Sequence, residues 1–192
     1  MTTIAWDVDD VLNDLMGAWL REEWQPAHPS CAASYGDLRS NPPHEVIGAE
    51  LDEYLASLDS FRHSRYLDQL QPLPEAVEWF ERNGDRYRHI VLTSVPVRYA
   101  PTSASWVLRH FGRWIRSFNF VPSKRSGESL PEYDGSKQDF LSWFGKAEVL
   151  VDDHPGNVEA ARKAGLNALL MPRPWNGANG AARETFKELE SL

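Results

Sequence analysis

Five short apolar segments, each followed by a polar residue or a proline, constrain the fold more than any other feature of the sequence. Short apolar runs bounded in this way are typical of buried β-strands. The first run is Ile4-Ala5-Trp6, which stops at Asp7. The other four segments are His89-Ile90-Val91-Leu92, Phe118-Asn119-Phe120-Val121, Glu148-Val149-Leu150-Val151 and Ala168-Leu169-Leu170-Met171. We therefore expect these segments to form the strands of one buried sheet.

Segments with helical periodicity separate the later strands. Pro74 to Gly84 begins with a residue that a first helical turn tolerates and ends at glycine. Ser103 to Phe111 and Asn157 to Ala164 are also each followed by a glycine, and Ser136 with Asp139 forms a capping-box pattern before a fourth helix. Strands that alternate with helices predict parallel βαβ units. The expected fold is therefore α/β, with a Rossmann-like, doubly wound parallel sheet.

A long stretch after the first strand interrupts this alternation. Asp14 to Trp24 and Glu45 to Phe61 both carry apolar residues at helical spacing. We therefore expect a small helical cap over residues 14–71, inserted into a core domain made of residues 1–13 and 72–192. An insertion directly after the first strand is placed to exclude water from a site at the end of that strand and to select the leaving group.

The insertion also contains side chains that suit an aromatic or anionic ligand. These are Trp19, Trp24, Phe61 and Tyr66, together with Arg21, Arg39, Arg62 and Arg65. A stacked base or an aromatic leaving group is one interpretation of the rings. At helical spacing, however, we expect each aromatic side chain to belong to the core and each arginine to be solvated.

Composition narrows the class of protein and the class of ligand. The chain has 192 residues, with 20 Lys and Arg against 28 Asp and Glu, and a formal net charge of −8. This length predicts one domain with a sizeable core, and the acidic balance disfavours binding to polymeric nucleic acid. The single Cys31 and the lack of a long apolar run predict a cytoplasmic protein without a membrane partner. We expect a small-molecule substrate, and the oligomeric state stays open.

Polar residues at the predicted strand ends are the candidates for chemistry. The first strand ends in Asp7-Val8-Asp9-Asp10, the second in Thr93-Ser94 and the fourth in Asp152-Asp153. Lys137 lies at the start of the helix that leads into the Asp152 strand. Ligands of open parallel sheets bind beyond the carboxyl ends of the strands, near the point where the strand order reverses. The four motifs are therefore expected to meet in one site.

This order of motifs resembles that of the haloacid dehalogenase superfamily of phosphatases. That superfamily has Asp-x-Asp after strand one, Thr or Ser after strand two, then Lys, then paired acids after a later strand. The resemblance extends from Ile4 to about Asn176. Within the superfamily, three segments are similar to the 5′(3′)-deoxyribonucleotidases: Leu92 to Pro96, Trp106 to Gly112, and Arg173 to Asn176.

The resemblance implies roles for the first-strand and acid-pair residues. Asp7 would attack phosphorus and form an aspartyl phosphate, and Asp9 would protonate the leaving group and then activate water. Asp7, the backbone carbonyl of Asp9, and Asp152 would hold Mg²⁺, a cation that prefers oxygen ligands. Asp153 would orient metal-bound water or Lys137 from behind these ligands.

The resemblance also implies the residues that bind the phosphoryl group. Thr93 would supply its hydroxyl, Ser94 its backbone N–H, and Lys137 the charge that neutralises the intermediate. Lys124 is the alternative lysine, because its place after the third strand resembles that of the deoxyribonucleotidase lysine. Asp10 stands where the superfamily commonly has glycine, so its backbone needs either a negative φ or the left-handed region that aspartate tolerates.

The sequence therefore predicts a Mg²⁺-dependent phosphomonoester hydrolase. Nucleotide monophosphates are the first expectation for its substrate, and sugar phosphates or a phosphorylated biosynthetic intermediate are the alternatives. A dehalogenase has no use for Asp9 or for a metal, and a phosphoacceptor signalling domain carries its acidic pair near the N-terminus. The alternative from another class is a catalytically silent binding protein on the same fold, because a fold alone does not determine function.

Overall fold

The core of the molecule is a parallel sheet of five strands. The computed structural model describes residues 1–65, 69–131 and 133–191. The strands are β1 (Thr3–Trp6), β2 (Arg88–Val95), β3 (Ile115–Pro122), β4 (Val149–Asp152) and β5 (Asn167–Leu170). They are hydrogen-bonded in the order β3-β2-β1-β4-β5, and every neighbouring pair is parallel. The predicted α/β fold with a doubly wound parallel sheet is confirmed.

Helices connect the strands as the periodicity predicts, and a further helix that the sequence analysis does not predict follows the last strand. In chain order they are α1 (Leu15–Trp19), α2 (Gln25–Ala27), α3 (Leu51–Ser64), α4 (Pro74–Asn83), α5 (Ala100–Phe111), α6 (Lys137–Phe144), α7 (Pro155–Lys163) and α8 (Ala182–Leu189). A π-helical turn over Leu20–Trp24 joins α1 to α2. None of the helices in the described part of the chain is long and apolar enough to span a bilayer.

The strand order reverses between β1 and β4, which are neighbours in the sheet. The chain runs from β1 outward to β2 and β3, and then returns to the other side of β1 to form β4 and β5. The register pairs Trp6 with Val151, and the backbone N–H of Asp7 donates to the Val151 carbonyl at 2.9 Å. The side chains that follow β1 and β4 therefore lie side by side, at the position where ligands bind in open parallel sheets.

Successive residues of β1 point to opposite faces of the sheet, so each face has its own apolar cluster. Ile4 and Trp6 belong to the larger cluster, and Ala5 belongs to the smaller one. Trp6 is fully buried and packs against Trp79 and Phe80, with ring centroids 5.3 and 5.0 Å away. This packing holds β1 rigidly at the centre of the sheet.

The two ends of the predicted insertion lie next to each other. An antiparallel bridge joins Asn13 to Pro72, and the backbone N–H of Leu73 donates to the Leu12 carbonyl at 2.8 Å. The chain thus leaves the core and re-enters it at one place, which is what an inserted cap requires. The division into a core and a cap remains a prediction, and helices α1 to α3 lie within the inserted range.

Some elements differ from the sequence expectations. The helix expected from Glu45 begins at Leu51, because residues 44–48 form turns. Strand β2 does not end before Thr93 but continues to Val95, since Ser94 and Val95 still pair with β3. Trp19, Trp24 and Phe61 are buried in the core, as expected. Arg62 is also buried rather than solvated, and Tyr66 lies outside the described residues.

Candidate active site

A buried lysine bridges the acids at the ends of β1 and β4. The Nζ atom of Lys137 lies 2.8 Å from Oδ2 of Asp7 and 2.7 Å from Oδ2 of Asp152. Lys137 occupies the first position of α6, and the Ser136 side chain caps that helix by accepting from the Asp139 backbone N–H at 3.1 Å. The helix start therefore delivers the ammonium group to the switch point of the sheet.

The charges of Asp7, Lys137 and Asp152 influence the pKa values of Lys137 and Asp7. Burial by itself lowers the pKa of Lys137, but the charges of Asp152 and Asp7 outweigh burial, so the net pKa lies above its usual range. Burial raises the pKa of Asp7 to about 6, although the attraction of Lys137 opposes this shift. Lys137 is therefore a permanent cation at this site, and Asp7 is an ionised carboxylate above neutral pH.

Lys124, the alternative lysine, lies elsewhere. It is exposed, in the loop after β3, and the described residues that line the cavity do not include it. Lys137 lines the cavity together with Asp7. Of the two candidate lysines, Lys137 is therefore the one that the structure places in the cavity.

Asp152 and Asp153 have different surroundings although they are adjacent. Asp152 is fully buried, and Lys137 occupies its Oδ2. Its Oδ1 accepts from the His154 backbone N–H at 2.8 Å, and the Asn157 amide donates to Oδ1 and Oδ2 at 3.1 and 3.2 Å. The carboxylate of Asp152 is thus held by the protein itself.

Asp153, in contrast, lines the cavity. Its Oδ2 accepts from the indole Nε1 of Trp175 at 2.8 Å. Burial raises the pKa of Asp153 to about 8, and the charges of Asp7 and Asp152 add to this increase. A cation placed beside Asp153 would remove the proton and relieve the repulsion.

Three carboxylates form a group that could hold a metal ion. One oxygen each from Asp7, Asp152 and Asp153 can be chosen so that all three lie within 4.8 Å of one another, and all three residues are buried. Carboxylate oxygens are the donors that Mg²⁺ prefers. The Asp9 side chain is outside this group. It accepts from Arg62 Nη2 at 2.9 Å and from the Asn13 amide at 3.3 Å.

The loop after β1 is held in a fixed shape around Asp10. Asp10 has φ 61°, which is the left-handed alternative that the sequence left open. Its backbone N–H donates to Asn13 Oδ1 at 3.0 Å, and its own Oδ1 accepts from the Met16 backbone N–H at 3.1 Å. Arg173 Nε donates to the Asp10 carbonyl at 2.6 Å. These bonds fix the backbone between Asp7 and helix α1.

Thr93 and Ser94 reach the same cavity from β2. Thr93 is buried, Ser94 is exposed, and both line the cavity with Asp7 and Lys137. The four predicted motifs therefore do converge, which is the arrangement that the sequence analysis required.

The cavity extends from these residues to the inserted segment and has a volume of about 390 Å³. Its inserted wall is formed by Leu15, Met16, Asn41, Pro42, Tyr54, Leu55, Leu58 and Arg62. Among the described lining residues, Tyr54 is the one with a phenyl ring, and only 2% of it is exposed. The inserted wall thus offers apolar contact and a guanidinium group, and the exposed imidazole of His154 also lines the cavity.

Sequence reasoning missed several residues of this site. The sequence predicts Asn157 only as the start of a helix, whereas its amide donates to Asp152 at 3.1 Å. Trp175 was noted only as part of the nucleotidase likeness. The burial of Arg62 could have been predicted, because this residue follows Leu58 by four residues and so lies on the apolar face of its helix. Arg125 lines the cavity from the loop after β3, and no sequence pattern marks it.

No protein-family model and no curated protein sequence matches the chain. Solved structures do match. A haloacid dehalogenase-like family hydrolase from Streptococcus pneumoniae is 13% identical, with a TM-score of 0.61 over 97% of this chain and 91% of its own. A structure from Haemophilus somnus, described as a predicted phosphoglycolate phosphatase, is 16% identical, with a TM-score of 0.61 over 100% and 97% of the two chains.

Protein Tyrosine Kinase A from Mycobacterium tuberculosis is also similar, with 16% identity and a TM-score of 0.63 over 100% of this chain and 98% of its own. At these identities the likeness establishes a shared fold and not a shared activity. The chain therefore has the fold of the haloacid dehalogenase-like hydrolases.

Proposed function

We propose that the protein is a phosphomonoester hydrolase that works through an aspartyl phosphate on Asp7. The observation that carries this proposal is the position of Lys137, whose ammonium group touches both Asp7 and Asp152 in the cavity that Thr93 lines. A nucleophilic carboxylate, a fixed cation and a hydroxyl donor in one pocket are what phosphoryl transfer needs.

In this proposal the cavity residues each have a separate role. The Asp7 carboxylate attacks phosphorus, its Oδ–P bond forms, and the bond from phosphorus to the leaving oxygen breaks. Lys137 keeps Asp7 ionised and balances the negative charge that develops on the phosphoryl oxygens. Thr93 donates its hydroxyl and Ser94 its backbone N–H to those oxygens.

Asp9 supplies the proton transfers. In its protonated form it would donate a proton to the departing oxygen, and the carboxylate left behind, which pairs with Arg62, would later take a proton back from the water that attacks the aspartyl phosphate. Its carboxylate lines the cavity and accepts from Arg62 on helix α3 and from Asn13 in the loop after β1, so two different segments of the chain hold it in position. Hydrolysis then returns Asp7 and releases phosphate.

The acidic group fits Mg²⁺, which when bound would bring the negative phosphoryl group to the negative Asp7. We propose Asp7 and Asp153 as its side-chain ligands, with the backbone carbonyl of Asp9 as the resemblance implies. The sequence analysis expects Asp152 to bind the metal and Asp153 to lie behind the ligands, so the proposal exchanges the roles of these two residues. Asp152 would position Lys137, because its oxygens are already engaged by Lys137, His154 and Asn157.

The substrate is proposed to be a small phosphorylated metabolite. The likeness to the deoxyribonucleotidases supports a nucleotide monophosphate, for which the exposed imidazole of His154 is the one accessible ring among the described lining residues. An apolar and cationic wall fits a sugar phosphate or a phosphorylated biosynthetic intermediate at least as well. A direct comparison of phosphorylated metabolites would rank these classes.

The first experiment is phosphate release from 4-nitrophenyl phosphate with and without Mg²⁺. We expect turnover that chelation abolishes, and we expect Asp7→Asn to remove it while leaving the thermal unfolding curve cooperative. Lys146→Ala is a control, since that lysine is exposed and lies outside the cavity lining. A catalytically silent binding protein would release no phosphate from any substrate. Full activity of Asp7→Asn would refute the nucleophile assignment.

A further inference from the structure

The carboxylate of Asp59, on helix α3, contacts three arginines. Arg125 binds it through two bonds, from Nε to Oδ2 and from Nη2 to Oδ1, both 2.8 Å long. Arg98 Nη2 donates to Oδ2 at 3.2 Å, and Arg62 Nη1 lies 3.6 Å from Oδ1. Arg98 and Arg125 follow β2 and β3, so this cluster joins the inserted helix to two loops of the core.

Three guanidiniums and two carboxylates form the described side-chain ion pairs of this cluster, and a third carboxylate, that of Glu128, accepts from the Arg125 backbone N–H at 2.9 Å. Among the described side chains, the guanidiniums of Arg62, Arg98 and Arg125 face the carboxylates of Asp59 and Asp9. The side chains of Arg62 and Arg125 are only 9% and 11% exposed. Solvent therefore screens their charges weakly, and an anion that enters beside them is attracted more strongly than at the surface.

Two of the three arginines face the proposed active site. Arg62 and Arg125 line the cavity that contains Asp7 and Lys137, whereas Arg98 does not line it and its side chain is 55% exposed. The Nη1 atom of Arg125 donates to the carbonyl and the hydroxyl of Ser123, at 3.2 and 3.0 Å. These are neutral acceptors, and an anionic oxygen in their place would form a stronger bond.

We propose that Arg125 and Arg62 form a subsite for a second anionic group on the leaving-group side of the substrate. The substrate class is then a small phosphomonoester that also carries a carboxylate or a second phosphate. This inference rests on the proposed phosphatase activity and assigns the specificity of the same cavity. The volume of about 390 Å³ suits a molecule of this size, and the apolar wall leaves the arginines as its cationic groups outside the phosphoryl site.

Matched substrate pairs test the subsite. The first pair is 3-phosphoglycerate and glycerol 3-phosphate, which differ by a carboxylate in place of an alcohol. The second pair is 1,3-propanediol bisphosphate and 3-hydroxypropyl phosphate, which differ by the second phosphate. We expect kcat/KM to be about tenfold higher or more for the anionic member of at least one pair. The pair with the larger ratio identifies the anion that the subsite accepts.

Variants of two arginines separate anion recognition from the structural role of the cluster. Arg125→Gln is expected to bring the ratio close to one, and Arg125→Lys to retain part of it. Arg98→Gln is the matched control, because Arg98 contacts the same Asp59 but does not line the cavity, and it should keep the native ratio. Thermal unfolding of each variant checks that it is folded.

The outcomes distinguish this inference from the proposed function. If the native protein hydrolyses both members of each pair equally, the subsite is refuted and the phosphatase proposal stands. Equal loss of the ratio in Arg125→Gln and Arg98→Gln would also refute it. If no substrate is hydrolysed, the proposed function fails, and calorimetric binding of 3-phosphoglycerate against glycerol 3-phosphate still decides the subsite: tighter binding of the acid supports it, and equal binding refutes it.

Discussion

The Nη2 atom of Arg62, on helix α3 in the predicted insertion, lies 2.9 Å from Oδ2 of Asp9 in the loop after β1. Only 9% and 13% of the two side chains are exposed, so the pair is nearly buried. Asp9 is two residues from Asp7. The ion pair therefore connects the inserted helix directly to the residues beside the proposed nucleophile.

We predict that Arg62→Ala lowers the free energy of unfolding by about 3 kcal/mol or more, because it removes the nearly buried guanidinium that pairs with Asp9 and one of the three that surround Asp59. Urea denaturation measures this change. Arg82→Ala is the control, since Arg82 forms an exposed pair with Glu78 at 2.6 Å and should cost about 0.5 kcal/mol. Losses of similar size in both variants would show that the buried Arg62 pair stabilises the fold no more than the exposed Arg82 pair does.

Substitution of Asp9 should depend on the leaving group. Asp9→Asn removes the proton donor, so we expect kcat for glycerol 3-phosphate to fall by about a hundredfold or more. The loss for 4-nitrophenyl phosphate should be much smaller, because its leaving group needs little protonation. Asp37→Asn, at an exposed aspartate that contacts Ser34, serves as the control. Equal losses for both substrates would contradict the acid role.

Substitution of the two candidate lysines by alanine is expected to affect turnover differently. Lys137→Ala leaves Asp7 and Asp152 without the cation that lies within 2.8 Å of both, so turnover should fall by about a hundredfold or more. Lys124→Ala changes an exposed residue and should leave kcat within about twofold. Steady-state kinetics with 4-nitrophenyl phosphate compare the two variants. The reverse result would transfer the phosphate-binding role to Lys124.

The convergence of Asp7, Thr93, Lys137 and the acid pair was predictable from the sequence. Parallel strands end at the same edge of a sheet, so polar residues that follow them meet whatever the details of packing. The same argument predicted the fold class. The end of β2 was missed because Ser94 is polar yet still pairs with Val121 of β3, and pairing depends on the neighbouring strand.

The relation between Asp152 and Asp153 could not be predicted in this way. Adjacent residues at a strand end face different surroundings, and only the position of Lys137 shows which acid is enclosed. Arg62 was misjudged for another reason. Its spacing from Leu58 placed it on the buried face, but arginine is usually solvated, and its partners Asp9 and Asp59 are distant or unmarked in the sequence.

Binding of Mg²⁺ should become tighter as the pH rises. Without metal, the pKa of Asp153 is about 8 and that of Asp7 about 6, so below pH 8 the cation must displace a proton. The apparent affinity is expected to increase between pH 6 and pH 8, by about tenfold per unit at most. Calorimetry at several pH values measures it. Asp153→Asn should weaken binding and flatten the dependence, and a flat native profile would contradict the assignment.

His89 links the stability of the sheet to pH through its contacts with neighbouring groups. Its Nδ1 accepts from the Trp6 indole at 3.0 Å, so the ring proton is on Nε2, which donates to the Gly84 carbonyl at 2.8 Å. Protonation of Nδ1 would turn it into a donor that faces the indole N–H donor of Trp6. Burial also lowers the pKa of His89 below its ordinary value.

The sign of the pH effect follows from this lowered pKa. Unfolded histidine binds a proton near pH 6.5, while the folded ring resists protonation, so the contribution of His89 is complete above about pH 6.5 and is lost as the pH falls below it. His89→Gln keeps an acceptor and a donor but does not titrate. We therefore expect its free energy of unfolding to fall less between pH 7 and pH 5 than that of the native protein, by up to about 1.4 kcal/mol per pH unit. His63→Gln, at an exposed position, should follow the native curve. Urea denaturation across this range measures both slopes, and parallel curves for His89→Gln and the native protein would show that His89 is not the group that responds.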